Sequence, residues 1–187
     1  MANTDFECPE LVNVLNGEQC GENFAGIGNF IYVGLKSDLD TTGLTMDGCT
    51  YKGFKLKDNA YLYKVDCEDE KNKITGSSLG YRGGFKMSGE WSANLVNKVT
   101  SLLGRAVNNL DIFIIAPDGD LWQFMYDKNR RVKFDADGIT TDTGAATSDA
   151  REFALKPTLQ PVKYPNIYVE EPTDKKFAEM VKPESAA

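Results

Sequence analysis

Apolar and polar residues change period along this chain, and the changes mark its elements. Tyr81, Gly83, Phe85, Met87, Gly89 and Trp91 fall in one alternating phase, which predicts a strand with one buried face. From there the spacing lengthens. Trp91, Leu95, Val99, Leu102, Leu103 and Val107 recur at helical intervals, the apolar stripe of an amphipathic helix over 91–107. Leu110, Ile112, Phe113, Ile114 and Ile115 then make a dense apolar strand, Pro117, Asp118 and Gly119 supply turn chemistry, and 120–126 returns as a hairpin partner. No catalytic group stands at any of these junctions, so the central stretch reads as scaffold.

The flanks are less regular. Residues 1–26 are poor in periodicity and rich in Asn, Glu and Gly, as expected of an arm ordered by a neighbour. Residues 29–36 predict the first clear strand and 37–49 a loop. Tyr51, Gly53, Phe54 and Leu56 mark a second strand and 60–67 a third, before a charged turn over 66–73. Val132, Phe134 and Ile139 suggest a short strand, and the small polar residues of 140–150 a loop. Phe153, Leu155, Val162, Tyr164, Ile167 and Val169 predict late strands, with Pro157, Pro161 and Pro165 assigning them to edges. Phe177, Met180 and Val181 share one face of a short helix over 173–182, which is marginal unless it docks. The expected organisation is an N-terminal arm (1–25), one domain (26–170) and a C-terminal tail or short docking helix (171–187). The elements read in this way make a mainly β chain with one α-helix and extended terminal arms.

Composition narrows the chemistry. The 187 residues include no histidine, which removes Ser-His-Asp and Cys-His nucleophiles and histidine-bearing metal sites. No enzyme, metal or cofactor is expected. A net charge of −7 argues against gripping DNA or an anionic membrane, which calls for clustered Lys and Arg. The N-terminus lacks the basic and apolar regions of a signal peptide, and no apolar run has the length of a membrane span. Cys8, Cys20, Cys49 and Cys67 form no CxxC pair and read as reduced structural thiols.

Several constellations have sharper readings that fail on spacing. Asp135, Asp137 and Gly138 mimic part of an EF-hand loop, but Lys133 and Gly144 then occupy positions that need carboxylates, so a surface turn is expected. Asp66, Glu68, Asp69 and Glu70 are flanked by Lys64, Lys71 and Lys73, a solvated turn. Gly76, Gly80, Gly83 and Gly84 lack the context of a phosphate loop and suit bends in a sheet. Trp91 and Trp122 could stack a sugar, yet both sit in apolar periodic segments and read as core or interface. Arg130 and Arg131, with Lys128 and Lys133, form a compact basic cluster that could grip carboxylates of another subunit.

The order of elements resembles the tail tube proteins of long-tailed bacteriophages and related injection machines. The likeness runs from Gly26-Ile27-Gly28-Asn29-Phe30-Ile31-Tyr32-Val33 through a loop-and-hairpin region, a long strand, the helix over 91–107 and the hairpin over 112–126. Its end segment, Thr143-Gly144-Ala145-Ala146-Thr147-Ser148-Asp149 followed by Phe153 and Leu155, is similar to tube-type proteins of phages of Bacteroidetes-like hosts. The resemblance implies a mainly β (α+β) fold, an antiparallel β-sandwich or partly closed barrel with one flanking α-helix and extended terminal arms, with subunits joined edge to edge into a ring, typically hexameric, and rings stacked into a tube that conducts DNA without binding it. It implies a virion protein made in the host cytoplasm, with itself and other virion proteins as partners and no membrane. Subunit contacts are expected from Phe24, Ile27, Phe30, Tyr51, Phe54, Arg130, Arg131, Phe177 and Met180. Rival readings are a capsid decoration or head-tail connector subunit, and a monomeric ligand- or glycan-binding β-module.

Overall fold

The computed structural model describes residues 28–68, 72–93, 96–144 and 151–183. In chain order its elements are β1 (Phe30–Leu35), β2 (Thr45–Asp47), β3 (Thr50–Lys52), β4 (Tyr63–Asp66), β5 (Lys73–Ser78), β6 (Phe85–Ala93), α1 (Lys98–Asn109), β7 (Ile112–Asp118), β8 (Leu121–Met125), β9 (Lys133–Asp142), β10 (Glu152–Val162) and β11 (Tyr168–Val169). One sheet has the order β2-β3-β11-β8-β7-β1-β4, the other β5-β6-β10-β9. Both sheets are open, so the fold is a mainly β sandwich with one α-helix rather than a barrel.

Burial along the strands explains the layering. β7 is buried over five consecutive residues, Ile112 to Ala116, so both of its faces are covered. One face carries an aromatic cluster in which Phe113 and Phe124 meet Phe54 edge-on, at ring-centroid distances of 5.8 and 5.9 Å. The opposite face, with Ile31, Val33, Ile112 and Ile114, is left for the apolar side of the smaller sheet, where Met87, Trp91, Leu155 and Leu159 are buried in the same core cluster.

Several expectations are corrected by local physics. The long alternating strand does not begin at Tyr81. Gly80, Arg82 and Gly84 have φ of 97°, 61° and 78°, and the left-handed backbone they share turns the chain between β5 and β6. The helix does not include Trp91, which continues the period-two face of β6 instead. It starts after Asn97, because Asn97 and Thr100 form a reciprocal capping box: each side-chain oxygen accepts from the other's backbone N–H, at 3.0 and 2.9 Å. Leu95 lies outside the described residues.

The region expected as a loop over 37–49 contains a short 3₁₀ turn, an isolated bridge from Leu39 to Leu56, and the β2–β3 hairpin. The predicted second strand contracts to β3, and the third to β4. The proline-bearing late strand is central, between β6 and β10's other neighbour β9, not at an edge. It accommodates its prolines at irregularities: Pro157 closes a register shift against β9, and Pro161 lies inside a second shift against β6. Opposite the first shift, Asp135, Ala136, Asp137 and Gly138 bulge out of β9, so the EF-like stretch is a bulge within a strand and not a turn between elements.

The C-terminal part is a strap on its own domain. Phe177–Met180 forms a 3₁₀ turn, not the expected α-helix, and Leu62 bridges Val181 while its N–H donates to Met180 O at 2.9 Å. Phe177 and Met180 are buried, Phe177 with ring centroids 5.1 Å from both Phe54 and Trp122. Intrachain packing holds this segment. The N-terminal arm expected over 1–25 lies outside the described residues.

Candidate assembly surfaces

The smaller sheet offers the longest uncovered strand edges. β5 and β9 are its two outer strands, six and ten residues long, and among the described residues each pairs on one side only. An unpaired edge presents backbone N–H and C=O groups that another strand can take up. The edges are not disguised by prolines, since β5 and β9 contain none.

The outer face of the same sheet is polar and built from short side chains. Thr75 pairs with Ser88, and Ser88 with Thr158, in one cross-strand row; Thr140 pairs with Ala154, and Ala154 with Ser92, in another. Charge on this face is largely matched. Glu90 accepts from Lys73 at 2.6 Å and faces Lys156 at 3.3 Å, and these two ammonium groups, Lys73 first, hold its carboxyl below the usual range. Ser92 donates to Glu152 at 2.5 Å. Lys73, Lys86, Lys133 and Lys156 stand against Glu90, Asp142 and Glu152, so the face is mixed rather than acidic.

The predicted contact residues are divided by the structure. Phe54, Phe177 and Met180 are buried in the chain's own core and are not available to a second subunit. Phe30 and Tyr51 are half-buried: Phe30 packs on Tyr32 and Trp122 beneath the Lys64 ammonium, and Tyr51 packs edge-on against Phe124 and Tyr126. These aromatic side chains fill the outer layer of the larger sheet, which the sequence could not separate from an interface because both call for the same residues. Arg130 and Arg131 are exposed, and the Arg131 guanidinium is engaged within the chain. Arg131 is paired with Asp111, and Arg130 O accepts from Lys36 Nζ at 2.9 Å. Phe24 and Ile27 lie outside the described residues.

Trp91 is almost fully buried and Trp122 sits against Phe177, so the two indoles form no sugar-stacking platform. Cys67 is half-buried with its thiol donating weakly to Val65 O at 3.5 Å, and this burial, with the Asp66 charge beside it, pushes its pKa up to about 12. Among the described residues no three His, Cys, Asp or Glu side chains cluster as metal ligands, and no helix is long and apolar enough to cross a membrane.

Exposed apolar side chains were not anticipated. Tyr81 at the β5–β6 turn is 90% exposed, and Val99 and Leu102 on α1 are 69% and 57% exposed. The helix buries Thr100, Gly104 and Val107 instead, with Gly104 facing Ile139 and Phe153. A Cβ at 104 would stand 3.4 Å from both side chains. The apolar stripe read from spacing is therefore rotated partly toward solvent.

Comparison with protein-family models matches no family, and searches of curated proteins and of solved structures find no match to the chain.

Proposed function

We propose that this chain is a structural protein of a phage virion, the tail tube subunit, which assembles by pairing β5 of one copy with β9 of the next into a ring. The observation that carries the reading is the four-stranded sheet, long-stranded, polar on its outer face and, among the described residues, unpaired along both outer strands. The contact is heterologous, and a heterologous contact that closes gives a ring. Each pairing adds a ladder of backbone hydrogen bonds, individually worth about 0.5–1.5 kcal/mol net.

The outer face of that sheet suits the wall of a DNA conduit. Lys73 and Lys156 flank the Glu90 carboxylate, and the short hydroxyl side chains Thr75 and Ser88 offer little to hold a phosphate backbone, whose binding depends on uncompensated Lys and Arg. Non-adhesion then rests on matched charge rather than on the acidic lumen that the overall composition suggests. The role is structural, with other copies of itself and other virion proteins as partners.

Electron microscopy and sedimentation of the purified protein over a wide concentration range test this. Rings or stacked tubes are the expected result. A strict monomer under every salt condition that binds only to preformed capsids would move a decoration role ahead of the tube.

A further inference from the structure

We infer that the apolar groove beside α1 is the seat of the N-terminal stretch of the same chain, with Leu11, Val12, Val14 and Leu15 covering the outward stripe of the helix. This does not depend on the tube reading. The groove has a volume of about 360 Å³ and runs between α1 and the end of β1, with Leu35, Tyr63, Leu102, Leu103 and Leu110 among its walls. Scattered exposed leucines are ordinary on a protein surface. Val99, Leu102 and Leu110, exposed by 69%, 57% and 47%, are instead one stripe bordering one apolar groove, the pattern of a surface that something covers.

Charge indicates what covers it. The charged side chains of α1 are Lys98 and Arg105, both basic. Residues 1–27 carry Asp5, Glu7, Glu10, Glu18 and Glu22 and contain no lysine or arginine. Their densest apolar run, Leu11, Val12, Val14 and Leu15, is bracketed by Glu10 and Glu18. An acidic segment with an apolar centre complements an apolar stripe flanked by cations.

Reach favours the chain's own segment over that of another copy. The described chain begins at Gly28, whose N–H donates to Pro117 O at 3.2 Å, whereas the groove lies at the opposite end of β1, beside Leu35 and Ile112. The length of β1 separates them, roughly 20 Å at about 3.3 Å per residue. Leu15 precedes Gly28 by 13 residues, enough for a span of up to about 43 Å. A segment tethered within reach of its site has an effective concentration on the order of millimolar, above that of a second copy in dilute solution.

Hydrogen exchange of the full chain, at a concentration where sedimentation shows monomer, tests the inference. Amides of residues 10–16 should exchange at least about tenfold more slowly than in a free peptide of the same sequence. Leu102→Asp should abolish that protection while leaving the β7 amides protected. Leu15→Asp, which alters only the segment, should abolish it too and serves as the second variant if Leu102→Asp perturbs β7. Peptide-like exchange in the unmodified chain, or protection that survives Leu15→Asp, would overturn the proposal. So would protection seen only in associated fractions, which would assign the groove to a neighbouring copy. A protected segment in a chain that stays monomeric at every concentration and salt would count against the tube and leave this inference standing.

Discussion

The indole of Trp91 lies across Gly89, two residues back on the same face of β6, so closely that a Cβ at 89 would collide with the six-membered ring. The glycine is there because the ring occupies its side-chain space. Gly89→Val should force the indole off its position in a core where Trp91 is 1% exposed. Overpacking of this kind costs about 1–3 kcal/mol. Thermal melting checks it, and an unchanged midpoint would mean that the ring has room to move.

The C-terminal strap should be part of the folding unit. Phe177 is fully buried between Phe54, Trp122 and Tyr32, and its N–H donates to a carboxylate oxygen of Glu171 at 3.0 Å. Phe177→Ala should lose about 3–5 kcal/mol, a fall of roughly 10 °C in Tm for a domain of this size. Removing 171–187 should be at least as damaging. A truncated chain that melts like the full one would show that the strap is an appendage.

How much of this was legible in the sequence depended on whether one periodic signal dominated. The β7–β8 hairpin was clear because Ile112 to Ile115 are all apolar and the turn residues follow at once. The start of α1 was obscured because Trp91 fits both a period-two and a helical stripe, and only the Asn97–Thr100 capping box decides between them. β10 was assigned to an edge on its prolines, which in three dimensions sit at register shifts where a missing N–H costs no ladder bond. Whether the segment over 171–187 is a tail or docks is open in the sequence because its anchors, Phe177 and Met180, are few and close together, and their sockets come from distant parts of the chain. That β5 and β9 are the edges carried no signal, since strand order is a property of pairing and not of composition; Val132, Phe134 and Ile139 mark a strand at β9 but not its place in the sheet.

Stability should fall in alkali. Burial first, and then nearby negative charge from Asp127, raises the Tyr51 pKa from 10.0 to about 12, while burial and Asp66 raise that of Cys67 from 9.0 to about 12. Above the lower value in each pair the unfolded chain releases a proton that the folded chain retains, so unfolding is favoured progressively as pH rises from about 9 toward about 12. Below pH 9 these two groups are protonated in both states and contribute no slope. Denaturant midpoints measured across this window should decline, with a smaller decline in Cys67→Ala. In native protein at pH 8, Cys67 should also react with a thiol reagent far more slowly than after unfolding.

The edge contacts can be cut without touching the core. Along a strand, successive residues direct their N–H groups to opposite sides, so of the adjacent pair Ser77 and Ser78 on β5 one donates toward β6 and the other away from it. The same holds for Thr140 and Thr141 on β9 relative to β10. Proline at the outward-facing member removes one donor from the free edge and leaves the internal ladder whole, whereas proline at its neighbour breaks a bond within the sheet. Of each pair, one proline variant should therefore melt normally and fail to assemble, as judged by circular dichroism and sedimentation. If that variant assembles as well as the unmodified protein on both strands, neither edge is the joint between copies, and the ring must be sought on another surface.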